Sequence, residues 1–421
     1  MIGYGMNNKE KILFALLQLF FLTLLFPYNN VVSGFITGGL LLCCLLFNSV
    51  KEKICLLKER RYIIWMQIFF VWLVISLLLS ENKSQVLPTV DPRLALFYLP
   101  IAIGLLQLKK DFKEKILLGF AVLTTLTCIA CLVTAIQKYY TTNNPDYLYN
   151  DGLTLLTKQQ SIYISLLVNI SIYVFTYFLF FKKIKYKPLF IAALLFLFGI
   201  SYLLASRNLM IVLYLSAIGF IIYYIIKQKN YGKGIALLII ILLGGTAVIT
   251  FFPKTLNRFQ DIGYTNFEFN HEGKESHYSS GTTADQWNGA NFRIAAWQCG
   301  WELFKQYPIA GVHLADKRDV LFEKYKEKNF QFALTTRKNL HNNYLDILVS
   351  TGAVGLILFL IAWIILPIKV AIRDKDYLSL LIMVTIAFAM ITEVYFDRSL
   401  GGMIVGFLLP FLLTDKQKAN Y

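Results

Sequence analysis

Along this chain of 421 residues, hydrophobic positions come in long unbroken blocks separated by short polar joints, without the alternation that marks half-buried strands. Blocks near the length that crosses a bilayer fall at about residues 11–27, 31–47, 61–80, 94–108, 116–137, 159–181, 188–206, 208–226, 234–252, 343–368, 377–392 and 399–414. They predict an all-α polytopic membrane protein of about twelve transmembrane helices, with a large extracytoplasmic helical loop between helices nine and ten. The blocks at 31–47, with Gly34, Gly38 and Gly39, and at 94–108, interrupted by Pro100, are the least regular. The expected division is 1–252 for helices one to nine, 253–342 for the loop, and 343–421 for helices ten to twelve with a cytoplasmic tail. No small-residue cleavage site follows the first block, which therefore reads as a retained helix. No internal repeat is visible.

The polar loop breaks the rhythm. Its first part, Asn270 to Thr283, is polar throughout. From Asn291 to Phe304, Phe292, Ala295, Ala296, Cys299 and Leu303 fall on one helical face, ending before Pro308 and Gly311. Asp316 to Lys328 reads as a second amphipathic helix, with Asp316 as N-cap and Val320, Leu321 and Tyr325 apolar. Both helices are expected to lie over the outer end of the bundle, on lipid headgroups.

Composition agrees with the class: 57% hydrophobic, 16% charged and a mean hydropathy of +0.57. The formal charge of +16 calls for no nucleic acid. Lys51 to Arg61, Lys109 to Lys115, Lys182 to Lys185 and Lys227 to Lys229 all fall on one side of the predicted membrane, the asymmetry of cytoplasmic loops, so the N-terminus is expected inside. Of the cysteines, Cys43, Cys44, Cys128 and Cys131 lie within blocks, Cys55 on the cytoplasmic side and Cys299 outside. No disulfide across the loop is expected, and Cys128 and Cys131, though spaced C-x-x-C, read as small interior residues.

Candidate chemistry gathers on the outer side. His341 stands immediately before an apolar helix on which Leu345, Leu348, Gly352 and Gly355 form one stripe and Asn343, Asp346 and Ser350 another. The polar stripe is expected to face protein, and the glycines to admit another helix. A plain alternative makes His341 part of a polar helix cap. Arg207 lies in the tight turn Ala205-Ser206-Arg207-Asn208 between two blocks, and Arg293 on the first loop helix. An arginine in either place is commonly a snorkelling or solvated side chain. Together, two planar cations suited to phosphate and one group that takes a proton near neutrality suit displacement of a phosphate leaving group.

Arg293 with Trp297, then Tyr307-Pro308-Ile309-Ala310-Gly311, then Leu340-His341-Asn342-Asn343-Tyr344-Leu345 with Gly352 and Gly355, resembles the O-antigen ligase and polymerase superfamily. The Ser206-Arg207 turn, the large penultimate loop and Glu393 at the outer end of the next block fit the same resemblance. It implies a metal-independent, inverting glycosyltransferase without cofactor, which moves a glycan from undecaprenyl diphosphate to a hydroxyl of a lipid A core sugar or other glycan acceptor. The site would face the periplasm from the bacterial inner membrane. Arg207 and Arg293 would stabilise the departing diphosphate and His341 would activate the hydroxyl, with Asn342, Tyr344 and Glu393 in support. The partners implied are the lipid-linked donor, the acceptor and membrane lipid, and a monomer is expected. The intact His-Asn-Asn-Tyr run favours the ligase branch over a polymerase or a transferase to protein.

Other motifs carry less. Asp374-Lys375-Asp376 has the D-x-D form of metal-binding transferases but lies in a short basic loop, and His271, His277 and His313 lack metal-ligand spacing. No Walker or Rossmann glycine pattern occurs. A transporter or flippase would show charged or broken helices at mid-membrane. A non-catalytic glycan-binding protein would make His341 dispensable.

Overall fold

The structure, a computed structural model, describes residues 6–26, 30–229, 231–232, 265–270 and 286–415. The predicted block at 234–252, His271 and His277 lie outside the described residues. In chain order the helices are α1 (Asn8–Leu25), α2 (Asn30–Phe47), α3 (Val50–Glu59), α4 (Arg61–Leu79), α5 (Val86–Val90), α6 (Ala95–Gly104), α7 (Lys110–Thr142), α8 (Asn150–Leu153), α9 (Ser161–Phe181), α10 (Lys187–Leu204) and α11 (Arg207–Gln228). From Asn291 onward come α12 (Asn291–Gln306), α13 (Lys317–Glu327), α14 (Gln331–Thr335), α15 (Asn343–Phe359), α16 (Leu366–Arg373), α17 (Tyr377–Ala389) and α18 (Ser399–Leu412).

Seven segments among the described residues are long and apolar enough to cross a membrane, and an eighth arises if α2 and α3, bent by 93°, form one span. The multi-pass reading follows. Block boundaries shift in places. The segment expected at 94–108 is Lys83–Gly104, whose first half is built of short helical turns, and the tenth block runs on through a π-helical stretch, Leu360–Ile365, to Arg373. α17 and α18 are apolar but shorter than a span.

The chain divides into two compact units, Met1–Thr124 with Ala295–Tyr421, and Thr125–Ile294. In the first, α18 packs along α6, α4 along α15 and α1 along α2. Its basic residues are not all solvated loop charge. Arg60 is buried, donating to the carbonyls of Gly104 and Leu106, both at 2.6 Å, and of Thr414 at 3.0 Å. Lys113 is buried too, pairing with Asp376 and Asp415 at 2.9 Å each. Asp376 also caps α17 through Ser379, and Asp374 pairs with Arg373, so both carboxylates of the D-x-D run have structural partners.

α15 is where the first unit departs furthest from expectation. Gly352 interrupts it at φ 69°, ψ −172°, a backbone region open essentially to glycine alone. The gap is filled by Tyr307–Val312. Val312 N–H donates to the Val349 carbonyl at 2.9 Å, while Ala353 N–H donates to the Pro308 carbonyl at 2.9 Å and Val354 N–H to that of Ile309 at 3.4 Å. Backbone groups that a broken helix would leave unsatisfied in hydrocarbon are thus paired. What approaches Gly352 is this strand of loop, since a Cβ there would collide with the Ile309 carbonyl. Only at Gly355 is the expected neighbouring helix found, where Trp72 of α4 comes close and donates from Nε1 to the Thr351 carbonyl at 3.2 Å.

The second unit is simpler. α9, buried from Tyr163 to Phe175, packs against α10 and α11. Its buried Asn169 donates from Nδ2 to the Leu209 carbonyl at 2.8 Å, fixing the first turn of α11.

Candidate active site

Ala205, at φ 48°, ends α10 in the left-handed conformation, and Arg207 opens α11 directly after the Ser206 cap position. The tight turn read from the sequence is present. At the other end of the second unit, Asn288 and Asn291 fold the chain into a turn before α12: Asn288 Oδ1 accepts from Asn291 N–H at 3.0 Å and Asn291 Oδ1 from Asn288 N–H at 2.8 Å. Gly289 sits inside that turn, and Arg293 Nη1 donates to its carbonyl. A Cβ at Gly289 would lie within 3.0 Å of Arg293 Nη1 and closer still to Arg207 Nη2. Two guanidinium groups 86 positions apart in sequence therefore meet over one bare glycine. Such a paired fork is suited to a phosphate or diphosphate, and like charge at this separation favours an anion between or beside them. Sequence reading missed Gly289, for which Asn288-Gly289 is an ordinary turn signal.

In the first unit, α12 buries the expected face, Ala295, Ala296, Cys299 and Leu303. Burial pushes the Cys299 thiol up to about 12, so it is not a reactive thiolate. Trp297 Nε1 donates to the Leu340 carbonyl at 2.9 Å, fixing the residue before His341. Asn342 is the N-cap of α15, its Oδ1 accepting from the Tyr344 and Leu345 amides at 3.0 Å each. The capping role that a plain reading offers His341 thus belongs to its neighbour. His341 instead stands one residue outside the helix at φ 45°, and its Nδ1 lies 3.1 Å from Glu393 Oε2. Its side chain is 22% exposed against 8% for Glu393, so the ring is reachable while its carboxylate partner is enclosed. Tyr344 is directed elsewhere, donating its hydroxyl to the Ala387 carbonyl at 2.7 Å.

The polar stripe of α15 faces protein, as expected. Asn343 Oδ1 accepts from Phe396 N–H at 3.1 Å, Ser350 Oγ donates to the Asp346 carbonyl at 2.7 Å, and all three side chains are buried. Asp346 pairs with Lys317 at 2.8 Å. Asp316 does not cap α13, despite its position; its carboxylate accepts from the backbone amides of Glu81 and Asn82 at 2.8 Å each. Its orientation follows from those two donors at the end of α4. Along α13, Leu321 and Tyr325 are buried, yet so are Lys317 and Lys324, the latter paired with Glu302 of α12 at 3.0 Å. Among the described residues no three His, Cys, Asp or Glu side chains converge as a metal-ligand set.

The apolar helices make this a multi-pass membrane protein, with an arginine pair in one unit and a histidine–carboxylate pair in the other. Residues 191–360 match the O-antigen ligase family, and the match supports a place for this chain among O-antigen ligase- or polymerase-type membrane glycosyltransferases. The matched segment contains Arg207, Arg293 and His341; Glu393 lies beyond it. No curated protein matches the chain.

Proposed function

We propose that this chain is the ligase type of the family, transferring a glycan from undecaprenyl diphosphate to a hydroxyl of a lipid A core sugar at the periplasmic face of the inner membrane. The observation that carries the reading is the His341–Glu393 pair at 3.1 Å. With Nδ1–H donated to Glu393, Nε2 is the acceptor, and the enclosed carboxylate stabilises the imidazolium formed when Nε2 takes a proton. The acceptor oxygen attacks the anomeric carbon while its proton passes to Nε2. The bond from that carbon to the diphosphate oxygen breaks with its electron pair, and Arg207 and Arg293 stabilise the charge that develops on the leaving group. A single displacement inverts the anomeric centre.

Outside the cytoplasm no nucleotide sugar is expected, so the donor must carry its own activated leaving group, which a lipid diphosphate does. Asn342 and Tyr344 support the site by capping and anchoring α15. In this reading twelve spans place both tails in the cytoplasm and residues 253–342 outside, and the enzyme acts as a monomer without metal. A broken helix is also a transporter feature, but the break at Gly352 is bonded across by Pro308–Val312 and offers no free backbone to a cargo.

The test is purified protein with undecaprenyl diphosphate-linked glycan and a lipid A core acceptor, with and without excess chelator. Turnover is expected to survive chelation and to fall by about 10² to 10⁴ in His341→Ala. Activity retained by His341→Ala, or lost on chelation, overturns the mechanism. Growth of the lipid-linked glycan in place of transfer to the core would assign the polymerase branch, and transfer to protein the third.

A further inference from the structure

One cluster of charged groups that this mechanism leaves unused lies beside His341. Lys317, at the start of α13, is buried, and its ammonium donates to Asp346 Oδ2 at 2.8 Å and to the two oxygens of Asp397 at 2.8 and 3.1 Å. Arg93 Nη2 donates to Asp397 as well. Two cations and two carboxylates make the cluster neutral, so each charge is compensated only while all four are present. Its members come from four places in the chain: the turn before α6, the first turn of α13, the first turns of α15, and the short helix Tyr395–Asp397.

Asn339 joins this cluster to the histidine. Its Nδ2 donates to Asp397 Oδ2 at 3.4 Å, and its Oδ1 accepts the backbone N–H of His341 at 3.0 Å. That N–H belongs to a residue at φ 45°, a left-handed conformation that a side chain with a Cβ holds only when its surroundings impose it. Four positions before Asp397, Glu393 meets the His341 ring. Segment 393–397 therefore grips the 339–341 turn at two points, the ring through Glu393 and the backbone through Asp397 and Asn339. Without the second point, the ring–carboxylate contact alone would leave the backbone free to leave the left-handed region.

We infer that Asn339 and Asp397 are positioning residues for His341, with Lys317 as the cation from the extracytoplasmic helix that holds Asp397 in place. Docking of α13 and alignment of the His341–Glu393 pair are then one event. The inference rests on the role given to His341 above and concerns how that residue is aimed.

Asn339→Ala tests it without disturbing a charge. Full-length protein in lipid nanodiscs, supplied with undecaprenyl diphosphate-linked glycan and a lipid A core acceptor, should lose about a hundredfold in kcat, as a base displaced by about 1 Å does. The donor KM and the thermal midpoint should stay near wild type. Asn339→Ser, whose hydroxyl can still accept from the His341 amide, should recover part of the loss. A wild-type kcat in Asn339→Ala, or a loss confined to KM, overturns the inference. His341→Ala in the same assay separates the two readings: if it is inactive while Asn339→Ala is normal, only the positioning role fails, and if it is active, the role of His341 fails.

Discussion

In the proposed reaction single residues carry the chemistry, and a glycine is among them. Because the Arg207 and Arg293 guanidinium groups share the space over Gly289, Gly289→Ala should displace both at once. We expect transfer to fall at least about tenfold, comparable with Arg207→Ala or Arg293→Ala, since a charge-assisted hydrogen bond to phosphate contributes about 1.5–3 kcal/mol. Lysine at either arginine should restore little, lacking the planar fork. Initial rates with saturating acceptor decide the matter; an unaffected Gly289→Ala would mean the pair does not touch the donor. Gly352 gives a second prediction, of stability. At its dihedral angles any Cβ is strained, and it would also strike the Ile309 carbonyl. Gly352→Ala should lower stability by about 3 kcal/mol or more, read as a drop in thermal midpoint in detergent.

At the scale of elements, the completed break in α15 and the ion cluster make separate claims. If Tyr307–Val312 stays docked, the Ala353 and Val354 amides, which donate to Pro308 and Ile309, should exchange hydrogen as slowly as those of an uninterrupted helix; fast exchange would show that the segment leaves. The cluster predicts a pH dependence. Burial acts to raise the Asp397 carboxyl, but the Lys317 ammonium and the Arg93 guanidinium outweigh it and hold the group well below the usual carboxylate range. A folded value below the unfolded one, about 3.9, means the ionised group stabilises the fold above about pH 4, and this contribution is lost as pH falls towards about 2. Thermal midpoints should drop across that window, and more shallowly in Asp397→Asn.

These elements also show what a sequence can disclose. The apolar face of α12 and the polar stripe of α15 were legible because helical period alone reports burial. His341 stood out through the residues around it. Lys317 and Asp397 did not, since they lie 80 positions apart and neither carries a local signal. Asp316 had the right position and residue type for a cap, but backbone donors at the end of α4 compete for its carboxylate. Nor was the break at Gly352 readable, because glycine is common in membrane helices that run unbroken.

For the whole molecule the claim to be tested is orientation. Basic clusters on one side predict that Lys183 faces the cytoplasm and Lys326 the outside. With the exposed Cys55 changed to serine, Lys326→Cys in intact cells should react with a membrane-impermeant thiol reagent, and Lys183→Cys should not. Labelling of Lys183→Cys alone would invert the assignment.

The seam between Tyr307–Val312 and α15 bears on how such proteins diversify. Because the loop completes a helix that follows it in the chain, the two cannot be inherited or exchanged as independent modules. A chimaera that imports a relative's external loop must bring the matching helix with it, or α15 will have no donors and acceptors cut to its gap. Recombination, in the laboratory or in a genome, should therefore succeed at crossovers that keep residues 307–354 together and fail at those that part them.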